Sequence, residues 1–117
     1  GYKIYSSAYS GRREIRAEDL NNAYFEEIKI TAIPLNHNSV KITWNKAIGV
    51  SYYQVYRSTS KNGKYALLGT YDNKTVSSIS RALKKGTTYY YKVRCYRWVG
   101  GERIFSPFSS VTSAIPE

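Results

Sequence analysis

The sequence predicts an all-β sandwich. Two observations carry that expectation: from Ile28 onward apolar residues recur with a period of two, and turn signals interrupt the alternation at short intervals. Composition agrees, because Tyr, Thr, Val and Ile concentrate in the alternating runs. At 117 residues the chain is long enough for one domain and too short for two of ordinary size. Its hydrophobic content of 42% supports a small core.

Seven strands follow in order. Ile28, Ile30 and Ala32 alternate with Lys29 and Thr31 in a first strand expected to stop at Pro34. Val40, Ile42 and Trp44 alternate with Lys41 and Thr43 in a second, which places Trp44 in the core. In the third, Tyr53, Val55 and Arg57 alternate with Tyr52, Gln54 and Tyr56. Asn62-Gly63 then reads as a hairpin signal, since both positions tolerate positive φ. Residues 65–71 and 75–81 give the fourth and fifth strands, and Leu83-Lys84-Lys85-Gly86 turns the chain. Residues 87–98 form the longest strand, with Tyr89, Tyr91, Val93 and Cys95 on one face. After Gly100-Gly101, residues 103–115 form the last, interrupted at Pro107, which implies an edge or a bulge.

Residues 1–27 read as an N-terminal extension or linker, separate from the domain at 28–117. Within it, 17–27 (AEDLNNAYFEE) carries a weak helical spacing at Leu20, Ala23 and Tyr24, so the extension is expected to hold at most a short helix. Gly1, Ile4, Ser6 and Ser10 recur as Gly101, Ile104, Ser106 and Ser110. That faint repeat is either chance or the last strand of a preceding, similar repeat. Charge divides the same way: 1–27 holds four basic and five acidic groups, whereas 28–117 holds fourteen basic groups against Asp72, Glu102 and Glu117. The whole chain carries +10. Such a field attracts polyanions, although lysine that merely keeps a module soluble is the plainer reading.

Several motifs stand in a recognisable order. Trp44 closes Val-x-Ile-x-Trp; Tyr53-x-Val55 follows; Leu83-x-x-Gly86-Thr87-x-Tyr89 enters the sixth strand. The runs at 56–65 (YRSTSKNGKY) and 105–109 (FSPFS) complete the set. On these motifs residues 28–117 resemble a fibronectin type III domain, in particular repeats of extracellular multi-module bacterial proteins. The resemblance implies a seven-stranded immunoglobulin-like sandwich with structural roles for Trp44, Leu83, Gly86 and Tyr89. The Tyr89 hydroxyl would bond the backbone upstream as a tyrosine corner. It also implies a spacer, adhesion or protein–protein module, secreted or on a cell surface, whose partners are other domains of the same chain or surface proteins; the charge adds cell-wall or anionic glycans. No signal-peptide pattern opens the sequence. The Arg-Gly-Asp tripeptide of some relatives is absent from the loop reading Trp98-Val99-Gly100-Gly101-Glu102-Arg103, so an integrin-type contact has no support.

Catalysis finds little to build on. Cys95 falls on the inward face and His37 in the turn Asn36-His37-Asn38-Ser39, so neither is expected to be reactive. A single Cys excludes an internal disulfide, and no metal-ligand set or nucleophile–base pair assembles. No catalytic residue, metal or cofactor is expected. No apolar run reaches the length of a membrane helix, so no membrane insertion is expected. The sequon Asn73-Lys74-Thr75 is short enough to arise by chance.

The outward face is the informative one. Tyr90, Lys92, Arg94, Tyr96 and Trp98 alternate away from the core, and Tyr52 and Tyr56 on the third strand point the same way. Cross-strand packing with cation–π contacts is the first account of this ladder. The alternative is a platform on which sugar rings stack while Lys92 and Arg94 meet anionic groups. Nucleic acid is disfavoured, because no recognition helix or RNA-binding signature accompanies the charge. A monomer is expected, with a strand-exchanged dimer through residues 1–10 as the alternative.

Overall fold

Alternation decides which side chains meet in the middle. In the computed structural model, which describes residues 25–117, Val40, Ile42, Tyr53, Val55, Tyr91, Val93 and Cys95 are fully buried. They come from the second, third and sixth of eight strands: β1 (Ile30–Asn36), β2 (Ser39–Trp44), β3 (Tyr52–Ser58), β4 (Ala66–Asp72), β5 (Ser77–Ser80), β6 (Tyr89–Val99), β7 (Glu102–Phe105) and β8 (Thr112–Ala114). One sheet has the order β1-β2-β5; the other has β4-β3-β6-β7, with β8 also on β6. All pairings are antiparallel. Each fully buried Val or Ile contributes about 1.5–3 kcal/mol, so the core is enough to hold two sheets together.

The seven expected strands are present, and the last is in two pieces. Pro107 supplies no N–H, and the chain leaves the ladder between β7 and β8. Ser106 and Ser109 bridge the gap: their hydroxyls accept the N–H groups of Cys95 and Val93 at 2.9 and 3.0 Å. Their own N–H groups donate to the carbonyls of Cys95 and Val93 at 2.8 and 2.7 Å.

Three local expectations change. β1 runs on past Pro34 to Asn36, because β1 is an edge strand with a register shift there. Asn62-Gly63 does not form a turn with positive φ; among the described residues the non-glycine position with positive φ is Ala82. Gly63 is needed instead for close approach, since a Cβ on it would lie 2.8 Å from Ser60 Cβ. Gly100 and Gly101, by contrast, take φ of 58° and 83°, as a two-residue hairpin requires. Finally, Phe25–Glu27 is not helical. The remainder of the helical stretch, and the repeat at 1–10 with its strand exchange, lie outside the described residues.

Phe25–Lys29 docks on the sandwich. Glu26 Oε1 accepts the Ile48 N–H at 2.9 Å, and Asn45 bonds the backbone of both Glu27 and Lys29. Arg97 is buried beneath it. Its guanidinium lies 4.1 Å from the Phe25 ring centroid, and its Nε donates to Gly49 O at 3.0 Å.

Candidate functional site

Register, more than alternation, builds the outer face of the larger sheet. Tyr52 lies opposite Tyr96, Gln54 opposite Arg94, and Tyr56 opposite Lys92. Across the other edge of β6, Tyr96 meets Phe105 and Trp98 meets Arg103. The expected residues Tyr52, Tyr56, Lys92, Arg94, Tyr96 and Trp98 are thus brought together, with Tyr90 half-buried farther along β6.

The face has two unlike halves. In one, Arg94 donates from Nε to Gln54 Oε1 at 3.0 Å and from Nη2 to Tyr56 Oη at 3.2 Å. Its guanidinium also lies 4.0 Å from the Phe105 ring centroid. Lys92 Nζ sits between two rings, 4.3 Å from Tyr65 and 4.1 Å from Phe108. These two cations are held by the protein's own groups, and Gln54 beneath them is only 7% exposed. This half is packing.

The other half is open. Tyr52 stacks on Tyr96 at 5.5 Å, and Trp98 meets Tyr96 edge-on at 6.0 Å. Tyr96 is thereby buried at 6%, against the expectation that it stands free. Trp98 is 53% and Tyr52 39% exposed. Arg103, exposed, places its guanidinium 5.4 Å from the Tyr96 ring and 5.9 Å from the Trp98 ring. Two accessible aromatics beside a cation can take a ring on one side and an anion on the other.

Gln54 as a buried member, and Tyr65, Arg103, Phe105 and Phe108, were missed by sequence reasoning. Arg103 was placed on the last strand but not on this face. Pro107 breaks the alternation that would have put Phe105 and Phe108 there; the FSPFS run was the available signal.

The structural residues have defined tasks. Trp44 lies between Tyr53 and Tyr71, at 5.7 and 5.9 Å between ring centroids. Leu83 is buried, and Gly86 takes φ of 81° in the turn before β6. Tyr89 Oη accepts the Lys84 N–H at 2.8 Å.

Two groups that could do chemistry, Cys95 and Asp72, are tied into the fold. Burial pushes the Cys95 thiol above its ordinary range. Asp72 is held low by the N–H of Lys74 and the hydroxyl of Thr75, which it binds in a turn. Among the described residues, no three His, Cys, Asp or Glu side chains group together as a metal site. The clefts lie apart: one of about 290 Å³ between 25–28 and 106–110, another of about 390 Å³ beside Lys46 and Lys74. Phe108 is the residue that these two clefts share with the face.

No family model and no curated protein matches the sequence. Solved structures do share its fold. The Fn3-like protein from Clostridium thermocellum superposes with a TM-score of 0.62 at 26% identity, over 78% of this chain and 90% of that one. A beta-1,2-glucanase from Parabacteroides distasonis gives 0.66 at 20% identity over 80% of this chain. A pectate lyase from Erwinia chrysanthemi gives 0.63 at 16% identity over 78%. The chain spans only 13% of the glucanase and 28% of the lyase, so the likeness there is one of fold. The described residues form a fibronectin type III-like domain.

Proposed function

We propose that this fibronectin type III-like domain is a non-catalytic module of a larger secreted or cell-surface protein, where it spaces or contacts neighbouring domains. One observation carries the reading: where the fold recurs in long chains, it occupies a small share of each, 13% and 28% in the two enzymes. The inert Cys95 and the turn-bound Asp72 support a role without chemistry.

A second reading has its own observation. Trp98, Tyr52 and Arg103 form an accessible aromatic and cationic corner on a strongly basic domain, and one neighbour is named for pectate. On that reading the corner binds an anionic glycan. Titration against polygalacturonate, a neutral glucan and single-stranded DNA at two salt concentrations separates the two. A spacer shows only weak attraction, abolished by salt and lost equally on replacing Lys61 and Lys64 or Arg103. A glycan module loses affinity at both salts in Trp98→Ala, by the roughly 1–3 kcal/mol known for ring stacking on a base. Arg103→Ala instead flattens its salt dependence, because counterion release scales with cations engaged.

A further inference from the structure

The outer face of the smaller sheet is organised differently. Its rows are Thr31–Thr43–Ser77 and Ile33–Lys41–Ile79, each running across β1, β2 and β5. The first row is polar, as a water-facing row of an antiparallel sheet normally is. The second is aliphatic: Ile33 is 58% and Ile79 37% exposed, and Leu35, also on the outward alternation of β1, is 49% exposed. Lys41 stands between the two isoleucines, so its methylene stem lies between them. Lys29 precedes β1 and Arg81 follows β5, both exposed. No Asp or Glu lies on these three strands. Unlike Lys92 and Arg94, the cations Lys29, Lys41 and Arg81 have neither a ring nor a carboxylate partner among the described residues.

We propose that this face docks a protein partner whose surface carries aliphatic side chains around a central carboxylate. The inference stands apart from the glycan reading, which concerns the opposite sheet. Charge complementarity chooses the occupant. Exposed aliphatics on both outer strands, Ile33 and Leu35 on one side of Lys41 and Ile79 on the other, form a mixed patch that a partner can cover. Insertion of the isoleucines into lipid would carry the Lys41 ammonium toward hydrocarbon with no counter-charge. Self-association across a two-fold axis would set this cationic face against a second copy of itself, and β1, β2 and β5 bring no carboxylate to it. A protein partner can cover both isoleucines and still place one carboxylate on Lys41, which pairs the charge as it is desolvated.

The test uses the full chain, nitrogen-15 labelled, and three probes. Two are extended synthetic peptides, one with Glu centred among valines and threonines and one with Lys in place of that Glu. The third is phosphatidylglycerol vesicles. The Glu peptide is expected to move the amide signals of Ile33, Lys41 and Ile79 selectively, with the Lys peptide inert. Lys41→Glu should weaken binding of the Glu peptide by about tenfold and confer binding of the Lys peptide, the signature of a specific charge pair. Lys41→Ala should lose the first effect without gaining the second, and serves if Lys41→Glu disturbs the fold. Absence of selective shifts at millimolar Glu peptide, or equal shifts from both peptides, overturns the proposal. Shifts of these residues by vesicles alone would make the face a lipid surface, and concentration-dependent shifts without peptide would make it a self-contact. Either result overturns it too.

Discussion

At the scale of single residues, one hydroxyl closes the turn ahead of β6. Lys84 donates its N–H to Tyr89 Oη at 2.8 Å. Tyr89→Phe keeps the ring and orphans a partly buried N–H, a loss of about 1–2 kcal/mol. Tyr90→Phe, one position on and facing the other way, should leave the urea midpoint within error. Equal midpoints for the two variants would contradict the tyrosine corner. Trp44 was legible from its place in an alternating run, and Leu83, Gly86 and Tyr89 from the motif that carries the family resemblance. Gln54 was not. Alternation turns it outward, and only the register Gln54–Arg94 shows that the guanidinium and Tyr56 close over it. Register is a long-range property, and those two stand 40 positions apart.

Among the elements, the broken last strand is the one that shapes the face. Leaving the ladder at Pro107 brings Phe108 over Lys92, which an unbroken strand would not do. Two serine hydroxyls then do the work of missing backbone acceptors. Ser106→Ala should cost about 1–3 kcal/mol, since the Cys95 N–H it orphans is buried. Ser109→Ala should cost less, because its hydroxyl lies where water can replace it. Ser113→Ala, on the exposed side of β8, is the control. Amide exchange reports the same thing locally: Cys95 should lose protection in Ser106→Ala and Val93 in Ser109→Ala. Protection unchanged at both amides would mean that the hydroxyls are not the acceptors. The interruption was visible in the sequence as a proline within a strand pattern. The serines that repair it were not, because a Ser-rich run reads equally well as loop.

Over the whole molecule, acid and alkali should act unequally. Residues 28–117 contain three Asp and Glu residues, and Asp72 is held below the usual carboxylate range by its hydrogen bonds in a solvent-exposed turn. Its folded pKa is depressed, so its contribution is present above its unfolded pKa and lost as pH falls through the folded one. Because the group is exposed, solvent screening keeps that contribution small. The alkaline side involves the core. Burial raises the phenols of Tyr53 and Tyr91 above the ordinary value of 10.0, and the thiol of Cys95 above 9.0. For these groups the unfolded chain loses its protons first. Stability is therefore intact below about pH 9 and declines as pH rises through the raised folded values. Self-repulsion in a chain of net charge +10 also varies with pH, so the measurement belongs in high salt, where it is screened. Under those conditions the urea midpoint should hold steady from pH 7 to 8.5 and fall from there to pH 11. Cys95→Ala should move the onset of the fall upward. Tyrosinate absorbance should carry a late component, from Tyr53 and Tyr91, that appears only as the protein unfolds. A single smooth phenol titration with an unchanged midpoint would show that Tyr53 and Tyr91 reach water in the folded state, and would break the assignment of both to the core.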